Sequence, residues 1–263
     1  MNSKVTTLLV GGLILILLIW GQLTPLAQED QNEFTSVFPI RDCVFVTQGT
    51  NDFFNISPGR QMMLNNRECF QAGECDVLRE VTITVLNETR NINFQIDGQP
   101  VTVDTRVILK QVTLNGRLVE SERGFFAECQ DTQDVYQFGK TVQIITEDGR
   151  VTTEGTWLAG ADEALPGLIF PGGAFLLGSR YFQELAPEVA LNRAEHVALG
   201  LDVEVPAGTF ADCVEIRETT GLDTTQVSIK TYCPGTGLVI EDDVELIEAT
   251  GGSVVDDEME TVF

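Results

Sequence analysis

The stretch Val107-Ile108-Leu109-Lys110-Gln111-Val112-Thr113-Leu114-Asn115-Gly116-Arg117-Leu118-Val119-Glu120-Ser121-Glu122-Arg123-Gly124-Phe125 decides the fold class. Its two flanks are rich in the β-branched and aromatic residues that suit a pleated surface. Asn-Gly between them accepts the positive φ angles of a type I′ turn, whose twist matches two antiparallel strands. Val107 to Leu114 is therefore expected to pair with Arg117 to Phe125.

The same signal recurs on both sides. Asp97-Gly98 and Asp148-Gly149 also lie between β-type runs, so three such turns fall within about fifty residues, as in a β-meander. Val81-Thr82-Ile83-Thr84-Val85 and Val101-Thr102-Val103 alternate apolar and polar residues. Thr141 to Thr146 is expected to pair with Arg150 to Trp157. From Val197 the odd positions read Val197, Leu199, Leu201, Val203 and Val205, and the even ones Ala198, Gly200, Asp202 and Glu204. A period of two predicts a strand with its odd positions buried. A short helix over Pro187 to Ala198 is the competing assignment there. The chain reads as mainly β, with antiparallel meanders forming a curved sheet or half-barrel after an N-terminal apolar helix.

Residues 1–28 hold a single charge, Lys4, followed by 24 uncharged residues from Val5 to Gln28. A basic start and an apolar run fit a secretory signal. Val5 to Leu26 is also just long enough to span a bilayer, which takes about 20 apolar residues. A small residue is wanted three places before a cleavage point, and Pro25 stands there if Ala27 precedes it. Signal peptide and retained anchor both stand, and either puts residues 29–263 outside the cytoplasm. Residues 29–41 read as a polar tether, 42–250 as the β-rich domain and 251–263 as an acidic tail. Faint echoes divide the domain into halves 42–155 and 170–250: Phe53 to Met62 against Phe175 to Phe182, and Phe125 to Cys129 against Lys230 to Cys233.

All six cysteines lie beyond the export segment. An even count in an exported chain favours disulfides over zinc, since there is no C-x-x-C and only one histidine. Cys213 and Cys233 are equidistant from a turn centred near Asp223, so they should face each other across two strands. Cys69 and Cys75 are close enough to clip one loop. That leaves Cys43 with Cys129, by elimination among 15 connectivities.

The net charge of −24 opposes binding to nucleic acid and anionic lipid, which leaves the membrane to the N-terminal segment alone. His196, the single histidine, sits on the polar side of the Val197–Val205 pattern and reads as solvated. No G-x-S-x-G elbow, phosphate loop or dinucleotide fingerprint is present, and no cofactor is expected. Asp131-Thr132-Gln133-Asp134 and Glu241-Asp242-Asp243 could bind calcium weakly through oxygen, although neither matches an EF-hand loop. Asn55-Ile56-Ser57 and Asn87-Glu88-Thr89 fit the glycosylation sequon, which matters only in a eukaryotic secretory route. The corner aromatics, among them Phe53, Phe54, Phe126 and Tyr232, read as core, or as the lining of an apolar site inside a curved sheet.

Four runs in order resemble a group of exported bacterial β-rich proteins of unknown function. Val205-Pro206-Ala207-Gly208-Thr209-Phe210-Ala211-Asp212-Cys213 is similar to their V-P-A-G-T-F-x-x-C. Tyr232-Cys233-Pro234-Gly235-Thr236-Gly237-Leu238-Val239 is similar to Y-Y-A-P-G-V-G-L-V. Phe53 to Leu64 resembles their start segment, and Gly155 to Gly160 with Leu165 to Pro171 their central link. The likeness covers about residues 52–248; Met62-Met63 replaces the group's usual aromatic, and the cysteines are more numerous. It implies an exported β-protein and no particular activity. The expected function is a non-enzymatic binding or structural module of the cell envelope or extracellular space. The alternatives are a carrier of an apolar ligand in the curved sheet and, next, a carboxylate-based hydrolase. A deep apolar cavity would mark the carrier, convergent buried carboxylates the hydrolase, and a filled core the structural module.

Overall fold

The computed structural model describes residues 33–251. The export segment 1–28 and the tail after Gly251 lie outside them. Among the described residues no helix is long and apolar enough to cross a membrane. In chain order the elements are β1 (Phe45–Val46), β2 (Gln61–Asn65), helix α1 (Arg67–Ala72), β3 (Arg79–Ile96), β4 (Gln99–Leu114), β5 (Arg117–Cys129), β6 (Val135–Ile145) and β7 (Val151–Thr152). They continue with β8 (Trp157–Leu158), β9 (Gly167–Phe170), β10 (Arg180–Phe182), β11 (Asn192–Val205), β12 (Gly208–Thr220), β13 (Val227–Cys233), β14 (Gly237–Glu241) and β15 (Val244–Thr250).

All 15 strands belong to one open antiparallel sheet. Its order is β10-β11-β12-β13-β14-β15-β2-β3-β4-β5-β6-β7, with β1 beside β5 and β8 and β9 beside β6. Two meanders are thus joined edge to edge where β15 pairs with β2. Each runs in the same sequence: a short first strand, a long bulged hairpin (β3–β4, β11–β12), a strand ending on a cysteine (Cys129, Cys233) and a closing strand.

The Asn115-Gly116 hairpin has the register expected of it, from Leu114 opposite Arg117 to Val107 opposite Phe125. Both turn residues are left-handed, at φ 50° and 76°, as are Asp97 and Gly98 at 51° and 72°. The third turn differs. Only Gly149 is left-handed, and a wider loop closes through Thr146 and Arg150, so β6 pairs with just two residues of β7 before meeting β8.

Two further expectations are corrected. Pro187 to Ala198 is not helical: residues 187–190 form a turn closed by Ala190 N–H to Ala186 O, and β11 follows. In β11 the odd-buried pattern holds only at the far end. His196 faces Ile216 and Ala198 faces Glu215, which leaves Val197 unpaired in a bulge. An extra residue reverses which side chains point inward. Ala194 and His196 are therefore buried, Val197 and Leu199 are exposed, and Val205 is buried again after further bulges.

The expected tether is docked from Glu33 onward. Glu33 pairs with Arg180, Thr35 bridges Tyr181, Phe34 meets the Phe182 ring and Ile40 is buried. Packing of this segment and of residues 157–164 buries the outer face of β3 to β6 around Phe125, Phe138 and Trp157. The inner face carries Leu64, Val81, Ile216 and Leu246 in a second cluster. With both faces covered, apolar residues run consecutively, as in Phe125-Phe126-Ala127.

The three disulfides are Cys43–Cys129, Cys69–Cys75 and Cys213–Cys233, with no free cysteine. Val214 opposite Tyr232 continues to Cys213 opposite Cys233, whose Cα atoms are 4.2 Å apart. Such bonds persist in an oxidising environment.

Candidate interior binding site

The inner face of the curved sheet encloses a cavity of about 230 Å³. Its floor is a cross-strand row. Val85 on β3 faces Ile108 on β4, which faces Gly124 on β5, which faces Lys140 on β6. The adjoining row contains Met62, Ile83, Lys110 and Glu122. The ring of Phe126 folds over Gly124; a Cβ at that position would lie 2.4 Å from it, so a glycine is needed. The far wall comes from the second meander, through Glu218, Lys230, Tyr232 and Leu238.

A short loop closes one side. Asn51, 3% exposed, accepts from the N–H groups of Phe53 and Phe54 and donates to the carbonyls of Gln133 and Pro171. All four bonds of this amide are made, which fixes Phe53 and Phe54 against the cavity. Buried Glu128 accepts from the N–H groups of Thr50 and Asn51 and holds the same loop from behind.

The chain has four lysines. All three after Lys4 line this cavity, and each is paired. Lys110 meets Glu241 at 2.7 Å, and Lys140 meets Glu184 at 2.8 Å and Glu122 at 3.3 Å. Lys230 meets Glu218 at 2.6 Å and Glu241 at 3.7 Å. Gln183 also donates to Glu218, and the Trp157 indole donates to Glu184. Burial alone would lower the ammonium groups of Lys140 and Lys230, but their glutamates outweigh it and hold both above the ordinary value. Burial would raise Glu241; Lys230, Lys110 and then Arg79 outweigh it and bring its carboxyl down to about 2. Lys140 and Lys230 stay protonated and Glu241 stays ionised at physiological pH, so none of these three is set to pass a proton.

His196 is not solvated. It is 2% exposed, stacked on Phe175 at 3.7 Å between centroids, and bonded at both nitrogens. A carbonyl can only accept, so Nδ1 donates to Leu176 O at 3.0 Å, and Nε2 accepts from the Tyr181 hydroxyl at 3.1 Å. Burial lowers its pKa, and the ring is a neutral core member with no carboxylate beside it.

The acidic runs singled out for calcium are used by the protein itself. Asp134 accepts from Gly172 N–H and Thr132, Asp242 from Ile229 N–H, and Asp243 from Asn66. Among the described residues no three metal-ligating side chains converge on one point. Of the corner aromatics, Phe125, Tyr136, Phe138, Trp157, Phe170 and Tyr181 are buried, while half-buried Phe53 and Phe54 face the cavity.

Sequence reasoning missed the lysines and their partners. Their signal lay in strand parity: Lys110 shares the face of Ile108 and Val112, and Lys140 that of Val142, so a charge occupies an inward position. Comparison with known proteins gives no further guide: no family model, curated protein or solved structure matches the chain.

Proposed function

We propose that residues 1–28 export the domain and that it acts outside the cytoplasm as a non-enzymatic binding module, holding a small amphipathic molecule in the concave face of its sheet. The observation that carries this reading is the composition of the cavity. Apolar side chains of Ile83, Val85, Ile108 and Phe126 share the floor with Lys110, Glu122 and Lys140, and the paired Glu218 and Lys230 face them from the far wall. A buried ion pair adds little stability over apolar residues of the same volume, so packing alone gives no reason for six such groups in the lining. A pocket with an apolar body and a few fixed polar groups suits a ligand with both characters. The three disulfides agree with a site outside the cytoplasm.

The test is fluorescence titration of the full chain with neutral N-phenylnaphthylamine. Saturable binding at one site per chain, abolished by Ile108→Trp, is the expected result. Absence of saturable binding refutes the reading, as does binding that Ile108→Trp leaves intact in a folded chain. A parallel screen against ester, glycoside and peptide substrates should give no turnover; turnover that survives His196→Ala would assign hydrolysis to the carboxylates instead. A cytoplasmic reporter fused at the C-terminus should be inactive inside the cell.

A further inference from the structure

One cavity cation differs from the rest. Arg60 is 6% exposed and precedes β2, with its backbone carbonyl accepting from Val85 N–H. The register of β2 on β3 carries Arg60 to the same face as Met62, and its side chain lines the cavity. Its NH2 nitrogen donates to the carbonyls of Gly235 and Thr236, at 3.0 and 2.9 Å. Among the described residues nothing else accepts from it, and no acidic side chain pairs with it. Lys110, Lys140 and Lys230 in the same cavity each have a glutamate.

A guanidinium carries five N–H donors in a rigid fork. Here Nε and NH1 donate to no acceptor among the described residues, and neither is sealed from solvent. A buried charge without a counter-charge is costly, and burial lowers the Arg60 pKa with nothing to offset it. NH2, which both forks of the guanidinium share, is spent on the two carbonyls, so what Arg60 offers a ligand is its charge and single N–H donors, which suit a carboxylate oxygen.

What lies beside the fork sets the rest of the ligand. Arg60, Val85, Ile108, Gly124 and Lys140 sit on successive strands. Four strand spacings make this row roughly 19 Å long measured along the sheet. Its middle is apolar, floored by Val85 and Ile108 and overlaid by the rings of Phe54 and Phe126, which lie 5.5 Å apart. The cavity is smaller than the roughly 300 Å³ at which drug-sized pockets begin.

We infer that Arg60 is the anion-binding residue of this cavity, and that its ligand is a small elongated carboxylate whose apolar body lies across Val85 and Ile108. This rests on the binding reading above and adds the sign of the ligand's charge and its direction in the site. The head meets Arg60, and the body runs from there across Val85 and Ile108 beneath Phe54 and Phe126.

The experiment displaces N-phenylnaphthylamine from the full chain with octanoate, octanol and octylammonium. Octanoate should displace the dye at a concentration at least about tenfold below octanol, and octylammonium should be the weakest. Arg60→Gln should bring octanoate to the level of octanol and leave octanol unchanged; Arg60→Lys, which keeps the charge, should retain part of the preference. Arg60 also ties down Gly235 and Thr236, so if the variants do not fold, the wild-type comparison of the three ligands decides. Octanoate no better than octanol in the wild type overturns the inference while leaving the binding reading intact. So does an octanoate preference that persists in folded Arg60→Gln. A chain that binds no dye overturns both.

Discussion

Replacing Glu241 by glutamine should make the domain less stable at neutral pH and less sensitive to acid. Glu241 is 5% exposed and lies against Lys110, Lys230 and Arg79 at 2.7, 3.7 and 3.9 Å. Those cations outweigh its burial and bring its carboxyl from an ordinary 4.5 down to about 2. That difference corresponds to roughly 3 kcal/mol of stability. The folded value is the depressed one, so between the two values the unfolded chain binds the extra proton. The contribution is therefore complete above pH 4.5 and is lost as pH falls toward about 2. Glu241→Gln leaves Lys110 without its carboxylate in the interior, where breaking a buried pair costs about 3–5 kcal/mol. Lys230 keeps Glu218, which places the expected loss near the lower figure. Urea unfolding of the oxidised chain, followed by Trp157 fluorescence over a pH series, measures both effects. The wild type should lose stability faster than the variant across the acid window, by up to about 1.4 kcal/mol per pH unit, one proton's worth. Parallel slopes, or a variant as stable as the wild type at neutral pH, would refute the account of this carboxylate.

The His196 ring resonances should titrate below the ordinary 6.5, because burial lowers its pKa. The stability of the neutral ring is complete above that value and is lost as pH falls through the folded one, so an NMR midpoint at or above 6.5 contradicts the buried placement. Paired Cys→Ala replacements should destabilise in the order of loop length, 86 residues for Cys43–Cys129, 20 for Cys213–Cys233 and 6 for Cys69–Cys75. Urea midpoints in any other order would reject that ranking. Gly124→Ala should cost about 1–3 kcal/mol by pushing the Phe126 ring off the cavity floor, and should weaken dye binding with it. Unchanged stability and unchanged binding would show that Phe126 does not need the glycine.

Local signals in the sequence reach a definite distance into this fold. Asn115-Gly116 specifies a hairpin because the turn's φ angles and the strands it joins are neighbours in the chain. The same arithmetic sets Cys213 opposite Cys233. It fails in β11, where Val197 bulges out, because one extra residue reverses parity without changing the composition of the run. His196 is buried there, stacked on Phe175 and edge-on to Tyr181. The tether reading fails for residues 33–41 in another way. Its polar start hides Phe34 and Ile40, which find partners more than a hundred residues and about ninety residues away, at Phe182 and in the cluster around Phe125.

The sequence by itself determined an antiparallel β-protein, the tight turns at Asp97-Gly98 and Asn115-Gly116, and the register of the hairpin between Val107 and Phe125. Each follows from interactions between residues close in the chain. Only the tertiary structure decided that β15 joins β2, so that the two meanders curve into one sheet. It alone decided that Lys110, Lys140 and Lys230 meet their glutamates inside, and that Arg60 faces the cavity without one. Charge pairing of this kind depends on which strands curve toward each other, over separations such as the 131 residues between Lys110 and Glu241. Parity along one strand shows that a lysine points inward, and only the closing of the opposite wall supplies the partner it meets or lacks.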